Sequence, residues 1–475
     1  MSRHYAPLAA GVLFLAALNL GFRLGDEVVT EWDEALYGTT SAEMVDSGNW
    51  IATTTNGRLD YYNAKPPLNI WLVGLSLKVF GRNLVALRLV SAASAWLTVL
   101  ILMIWARRSF GALISLAAGA VLSTNFGFIY VHAGRSANTD ALLTLLMLLV
   151  VVALSTARVE PSRFLWLGPL LAAVFLLKGM TVLMVLSIVV LVSVVRRHSQ
   201  VRPSQLVVSS MLFLAPIGAW AALRYRVDGW TFLARVFRDD FFGHAFRALE
   251  GHGHGPLFYL NVLQKQEFGW IIAASAALLL SRVPWSRGRD ILVRTRDAND
   301  PALIVAIWAG VTFLVPTAMS TKLPWYLNPF YPAFALATAW ALSRGWSAST
   351  HPGKRILVGA LAALALVTAE GRLVWYSFEY RDLHRSAQGL FLAERERLEH
   401  RTVYAPQWNR AGRFVVHDLA RADIGSAGDP EEFVRCSAAG DYFLWSAEVS
   451  HPALTLIRTN GREWLYRRDA VRAQE

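Results

Sequence analysis

Apolar residues in this chain gather into long runs separated by short polar connections, and that spacing sets the first expectation. A membrane-spanning helix needs about 20 consecutive, predominantly apolar residues. Runs that meet or approach this length lie near 5–24, 83–106, 110–131, 139–157, 163–179, 180–195, 205–224, 262–281, 302–319, 326–343 and 355–375. They predict an α-helical polytopic membrane protein with about eleven spans. Lys178-Gly179 interrupts the apolar stretch 163–195 and predicts a tight turn on the outer side. The first run reads as an uncleaved span, because no small-x-small cleavage signal precedes the polar segment after it.

Two regions break the pattern. Residues 25–82 form a long polar segment, acidic in its first half, and Pro66-Pro67 opens an apolar stretch from Leu68 to Phe80. That stretch is too short to span and predicts a helix lying at the membrane interface. From about residue 376 the period shortens. Thr402–Tyr404, Phe414–Val416, Tyr442–Trp445 and Thr455–Ile457 read as short strands, with helices near 384–400 and 429–436. The predicted organisation is a transmembrane domain over 1–375 and a small α/β domain over 376–475.

Composition and charge sharpen this. Of the 475 residues, 55% are hydrophobic and only 17% charged, and the mean hydropathy is +0.37. A soluble protein of this length needs more charge to cover its surface. The net charge of +12 would suggest nucleic acid in a soluble chain. Here the arginines sit in short connections, so topology and contact with anionic membrane lipids explain them, and no nucleic-acid partner is expected. Arg107-Arg108, Arg158, Arg163, Arg196-Arg197, the arginines of 282–296 and Lys354-Arg355 all fall on one side when the spans alternate. By the positive-inside rule that side is cytoplasmic. The N-terminus is then cytoplasmic, and 25–82, 225–261 and the C-terminal region lie outside. The expected location is the cytoplasmic (inner) membrane of a bacterium. Cys436 is the only cysteine, so no intrachain disulfide forms.

Ionisable residues near membrane depth are costly unless they serve a site, and five places on the predicted outer side carry them. Glu31-Trp-Asp33-Glu34 follows the first span; a carboxylate here can take a proton from a hydroxyl, bind a cation, or merely be solvated. In Tyr61-Tyr62-Asn63-Ala64-Lys65-Pro66-Pro67, Lys65 can meet a lipid phosphate or snorkel. In Arg135-Ser-Ala-Asn-Thr-Asp140, the aspartate suits a helix N-terminus as well as a site. Lys178 and Lys322 are each isolated among apolar residues, and with Lys65 they could gather round one phosphate. His244, His252 and His254 near Glu250 fit no closed zinc site; one or two could join a carboxylate at a divalent metal. No glycine-rich nucleotide fingerprint occurs. An enzyme with no nucleotide site would need an activated donor of another kind, and a lipid-phosphate sugar suits an outer-face site.

The pattern Asp33-Glu34-x-x-Tyr37, Gly48-Asn49-Trp50 and Lys65-Pro66-Pro67-x-x-x-Trp71-Leu72 resembles bacterial glycosyltransferases of the GT-C superfamily. Within it the resemblance is to the protein mannosyltransferases and the lipid A aminoarabinose transferase. Phe80-Gly, Arg88-Leu, Thr139-Asp140-Ala-Leu, Leu177-Lys178-Gly179, His254-Gly-Pro256 and Lys322-Leu-Pro324-x-Tyr326 follow in the family's order. The resemblance covers about 5–345 and implies inverting transfer of a sugar from a polyprenyl-phosphate donor to a cell-envelope acceptor: a lipid, a glycan or a protein. It implies Asp33 as the catalytic carboxylate, with Glu34 and Asp140 beside it. Lys65, Lys178, Lys322 and Tyr326 would hold the donor phosphate, and Tyr37, Tyr62 and Arg135 would line the cavity. Two positions depart from the family. Leu36 stands where the lipid A transferase has arginine, and Ala64 stands where it has a glutamate that shares a metal with a histidine matching His254. A divalent metal at His254 is therefore the weakest expectation. A polyprenyl-lipid transporter, or a non-enzymatic protein of envelope assembly, are the alternatives.

Overall fold

The computed structural model describes residues 2–157, 160–196, 201–238, 253–281, 301–348 and 351–470. The described chain is mostly helical, and each apolar run predicted as a span contains helix. In order these are α1 (Ser2–Gly21), α4 (Leu84–Phe110), α5 (Ala112–Ser123), α7 (Asp140–Thr156), α8 (Leu167–Lys178), α9 (Val182–Arg196), α10 (Pro203–Asp228), α12 (Phe258–Leu280), α13 (Pro301–Ala318), α14 (Tyr331–Ala348) and α15 (Pro352–Glu379). Among the described residues, six helical stretches are long and apolar enough to cross a membrane. The α8–α9 pair counts as one of them, Pro161–Val195, broken at Gly179, whose φ is +48°. The protein is a multi-pass membrane protein.

The run expected at 110–131 is not one helix. It stops at Thr124, where the Asn125 side chain accepts from Phe128 N–H at 2.7 Å and starts the short α6 (Phe126–Tyr130). A capping asparagine in mid-run ends one helix and opens another, because its carbonyl offers the freed N–H groups a partner. The chain then turns through His132 and returns as α7.

The helices pack through small residues as well as bulky ones. A methyl group on Gly345 of α14 would lie 2.7 Å from the Ala277 carbonyl of α12, so the two backbones approach as only glycine permits. Val99, Leu102, Leu122, Leu148, Val174 and Trp308 are fully buried in the main core.

Over 25–82 the chain forms α2 (Asp33–Ser47), a two-residue hairpin of β1 (Thr54–Thr55) and β2 (Arg58–Leu59), and α3 (Leu68–Phe80). The α3 helix has two faces. Ile70, Val73 and Leu77 are buried, whereas Leu75, Val79 and Phe80 are exposed, and the Trp71 indole donates to the Trp50 carbonyl at 2.6 Å.

Beyond α15 the chain builds a five-stranded sheet in the order β4-β3-β5-β7-β6. Its strands are β3 (Thr402–Ala405), β4 (Asp423–Ser426), β5 (Tyr442–Trp445), β6 (Leu454–Thr459) and β7 (Trp464–Arg468). Here β3 runs parallel to β4 and β5, and β7 antiparallel to β5 and β6. Phe414–Val416, expected as a strand, belongs instead to a wide π-type helical turn, Phe414–Leu419. All three of its apolar residues are buried, so the apolar triplet reflects packing on every side rather than a strand. This region shares one core with the segment 25–82 and the start of α4: Val29, Ala35, Val73 and Leu87 pack in the same cluster as Phe391, Val403, Phe414 and Leu465.

Candidate active site

Asp33 is the first residue of α2, and the residue before it, Trp32, has φ +68° and ψ −106°. An L residue rarely adopts this backbone, and doing so costs about 1–3 kcal/mol. The turn aims the Asp33 carboxylate away from the core while its neighbour Glu34 points inward. The two carboxylates therefore have opposite environments.

Glu34 is fully buried and fully engaged. Arg88 Nε donates to its Oε1 at 2.7 Å, Ala137 N–H to the same oxygen at 3.2 Å, and Thr30 N–H and Oγ1 to Oε2 at 2.7 and 2.8 Å. Burial pushes its carboxyl up, but Arg88, Arg381 and these donors outweigh burial and hold it at about 2. Arg88 spends its remaining donors on the carbonyls of Leu24, Glu27 and Val28. The sequence grouped Glu34 with Asp33 as catalytic; the geometry gives it the job of fixing the turn on which Asp33 stands.

Asp33 is one-third exposed. Its Oδ2 lies 3.7 Å from Lys65 Nζ and 4.0 Å from His132 Nδ1. Burial raises its carboxyl, yet Lys65, His132 and Lys178 together outweigh that and hold it below the usual carboxylate range. Lys65 also donates to Tyr37 Oη at 2.7 Å. Tyr37 is buried, which keeps its phenol neutral and well above its ordinary value.

Asp140 opens α7 and Lys178 closes α8, and their side chains meet at 2.7 Å. The Tyr326 ring lies 5.7 Å from the same ammonium. Lys322 is buried and donates to the Met319 carbonyl at 2.6 Å. The next strand-like contact brings Gly253 against Thr321, so the His254-Gly-Pro256 segment borders the Lys322 turn.

Arg135, expected in the cavity, is instead buried against Glu27, 2.7 Å away, and donates to the carbonyls of Asn19 and Phe22. Glu27 also accepts from Ser377 at 3.0 Å and faces Arg381 at 3.6 Å. Arg135 thus ties the first span to the last. Tyr62 is 62% exposed, at the rim rather than the wall.

Of the residues named for a divalent metal, the structure describes His254. The exposed His254 ring stacks on Phe258, with centroids 4.3 Å apart, and among the described residues no three His, Cys, Asp or Glu side chains cluster as a metal site. His244, Glu250 and His252 lie outside the described residues.

His132 is a site residue that the sequence reading missed. It follows α6 with φ +58°, and its ring stacks on Trp325 at 3.8 Å, nearly parallel. Its Nδ1 is buried without a hydrogen-bond partner and faces Asp33. Burial lowers its basicity more than Asp33 and Asp140 raise it. A lone histidine between two apolar runs carries no motif; only the Trp325 stack, in the Lys322–Tyr326 block, reveals it.

The same overall arrangement is found in a solved structure, the ArnT of Cupriavidus metallidurans bound to undecaprenyl phosphate. The two superpose with a TM-score of 0.68 at 17% identity over 97% of both chains. The chain therefore has the fold of that protein. The Archaeoglobus fulgidus oligosaccharyltransferase shares the fold more distantly, with a TM-score of 0.53 at 11% identity over 90% of this chain and 64% of that one. Residues 64–220 match the family described as dolichyl-phosphate-mannose-protein mannosyltransferase. Among curated relatives, an undecaprenyl phosphate-α-4-amino-4-deoxy-L-arabinose arabinosyl transferase of Pseudomonas savastanoi is 40% identical over 145 residues, 30% of this chain and 27% of that protein. One from Pseudomonas fluorescens Pf-5 is 28% identical over 355 residues, 70% of this chain and 57% of that protein. The chain thus spans between about a quarter and little more than half the length of these relatives.

Proposed function

We propose that this chain is an inverting glycosyltransferase that moves a sugar from a polyprenyl-phosphate donor to a cell-envelope acceptor. The reaction takes place at the outer face of the bacterial cytoplasmic membrane, with the N-terminus cytoplasmic and the C-terminal sheet region outside. The observation that carries this reading is the ionised Asp33 set between Lys65 and His132, with the Lys178–Asp140 pair close enough to influence its charge. A base beside converging cations is what displacement of a phosphate by a hydroxyl requires.

Asp33 takes the proton of the acceptor hydroxyl as its oxygen attacks the anomeric carbon of the donor. The bond from that carbon to the phosphate oxygen breaks, and its electron pair leaves with the polyprenyl phosphate. Lys65, Lys178 and Lys322 offset that developing charge, and the Tyr326 hydroxyl donates to it. Attack from the side opposite the leaving phosphate inverts the anomeric centre. Tyr37 holds Lys65 in place, and His132 walls Asp33 at 4.0 Å.

The undecaprenyl phosphate bound by the Cupriavidus ArnT and the undecaprenyl-phosphate donor of the Pseudomonas transferases support a C55-type carrier here. Ala64 and Leu36 mark where the chain departs from the lipid A enzymes, which argues against carrying aminoarabinose and lipid A over as its substrates. The test is donor consumption by purified protein in nanodiscs with a panel of polyprenyl-phosphate sugars; lipid movement without any consumption would support a transporter instead.

A further inference from the structure

The arginines around the site mostly face carboxylates: Arg23 faces Asp382, Arg88 faces Glu34, and Arg135 and Arg381 face Glu27. Arg410 is different. It comes from the C-terminal region, where Glu31 accepts its backbone N–H at 2.7 Å and that of Ala411 at 3.4 Å. These bonds fix the backbone and leave the side chain directed over the rim. Its guanidinium lies 4.5 Å from the Trp32 ring centroid and 5.1 Å from that of Tyr62. Among the described residues it makes no ion pair or side-chain hydrogen bond. Trp32 is 54% exposed and Tyr62 62% exposed.

Two of these three side chains neighbour the reacting groups in sequence, and Arg410 is brought to them by the fold. Trp32 precedes Asp33, held in its positive-φ turn, and Tyr62 lies three residues before Lys65. Exposed aromatic faces of this kind stack against the apolar face of a sugar ring, and a guanidinium with unused planar donors binds phosphate or carboxylate in a bidentate way. A strained tryptophan left half in solvent is otherwise costly.

We infer that Trp32, Arg410 and Tyr62 form the acceptor subsite, and that it takes a glycan bearing an anionic group, phosphate or carboxylate, beside the hydroxyl that reacts. This rests on Asp33 being the base of the proposed reaction. The C-terminal region then contributes a substrate-binding residue rather than only packing on the site.

The test uses the full chain in zwitterionic nanodiscs, with glucose 1-phosphate, glucose and inorganic phosphate as soluble probes read by saturation-transfer NMR. Undecaprenyl phosphate binding is measured separately on the same samples. Glucose 1-phosphate should bind wild type, and Arg410→Ala should weaken it about tenfold or more, with Arg410→Lys recovering part of the loss. Trp32→Ala should weaken glucose 1-phosphate but leave inorganic phosphate unchanged. Undecaprenyl phosphate should bind wild type and Arg410→Ala alike. Glucose 1-phosphate binding that ignores Arg410, or that neutral glucose matches, overturns the subsite. Failure of undecaprenyl phosphate to bind wild type overturns the donor reading alone. Adding phosphatidylglycerol to the nanodiscs separates the sources of the anion: competition supports a lipid headgroup at Arg410, and its absence supports a phosphorylated glycan.

Discussion

Lys178 Nζ ends 2.7 Å from Asp140 Oδ1, joining residues 38 positions apart at the meeting of two apolar helices. Their side chains are only 13% and 3% exposed. Removing one partner of a buried pair strands the other charge, at a cost of about 3–5 kcal/mol. Asp140→Asn and Lys178→Met should each lower the thermal midpoint in detergent, and the double variant Asp140→Leu/Lys178→Met should recover most of it. Donor binding, which needs the Lys178 charge, should stay lost in the double variant. A double variant as unstable as either single one would contradict the pairing.

Asp33 is kept ionised chiefly by Lys65 acting against burial. A carboxyl held below its ordinary value loses its charge only as pH falls through that lowered value. Donor turnover should therefore be flat in the Asp33 term across neutral pH and fall only in acid. Lys65→Met removes the largest opposing charge, so the acid limb of the pH–rate profile should move to higher pH. An unmoved limb would mean that Lys65 does not set the charge of Asp33.

The adjacent carboxylate should behave differently. Glu34 is held at about 2 against an ordinary 4.5, so its contribution to stability is complete above about pH 4.5 and is lost as pH falls toward 2. Glu34→Gln leaves Arg88 buried without its carboxylate and should cost about 3–5 kcal/mol. Asp33→Asn, at a one-third exposed position, should leave the melting temperature close to wild type. Thermal melts of the two variants between pH 3 and 8 compare them directly.

The helices were legible in the sequence because membrane spans are long apolar runs, and a period of many residues survives local noise. The ends of the runs were less so. Asn125 splits the 110–131 stretch by a single side-chain hydrogen bond, which hydropathy does not weigh. Asp33, Lys65, Asp140, Lys178 and Tyr326 were legible as isolated polar residues in order. Which of them turn inward was not. Glu34 and Arg135 look like site residues in the sequence, but their partners, Arg88 and Glu27, are 54 and 108 residues away. His132 and Arg410 gain meaning only from contacts with Trp325 and Trp32, made by the fold.

The C-terminal region also read as a separate domain, yet Gly38 of α2 packs on it. A methyl group at Gly38 would lie 2.6 Å from the buried Phe414 ring. Gly38→Ala should therefore destabilise the protein by about 1–3 kcal/mol, and Phe414→Leu in the same chain should relieve part of that. Limited proteolysis near residue 380 should release the sheet region faster from Gly38→Ala than from wild type. Equal cleavage rates would show that the contact does not hold the region down.

The most direct measurement is single-turnover consumption of undecaprenyl-phosphate sugars by wild type and Asp33→Asn in nanodiscs, with melting temperature and undecaprenyl phosphate binding measured on the same samples. The account predicts consumption by wild type with inversion at the anomeric carbon, and loss of about 10²-fold or more in Asp33→Asn with binding and stability retained. An Asp33→Asn protein that turns over at the wild-type rate would contradict it.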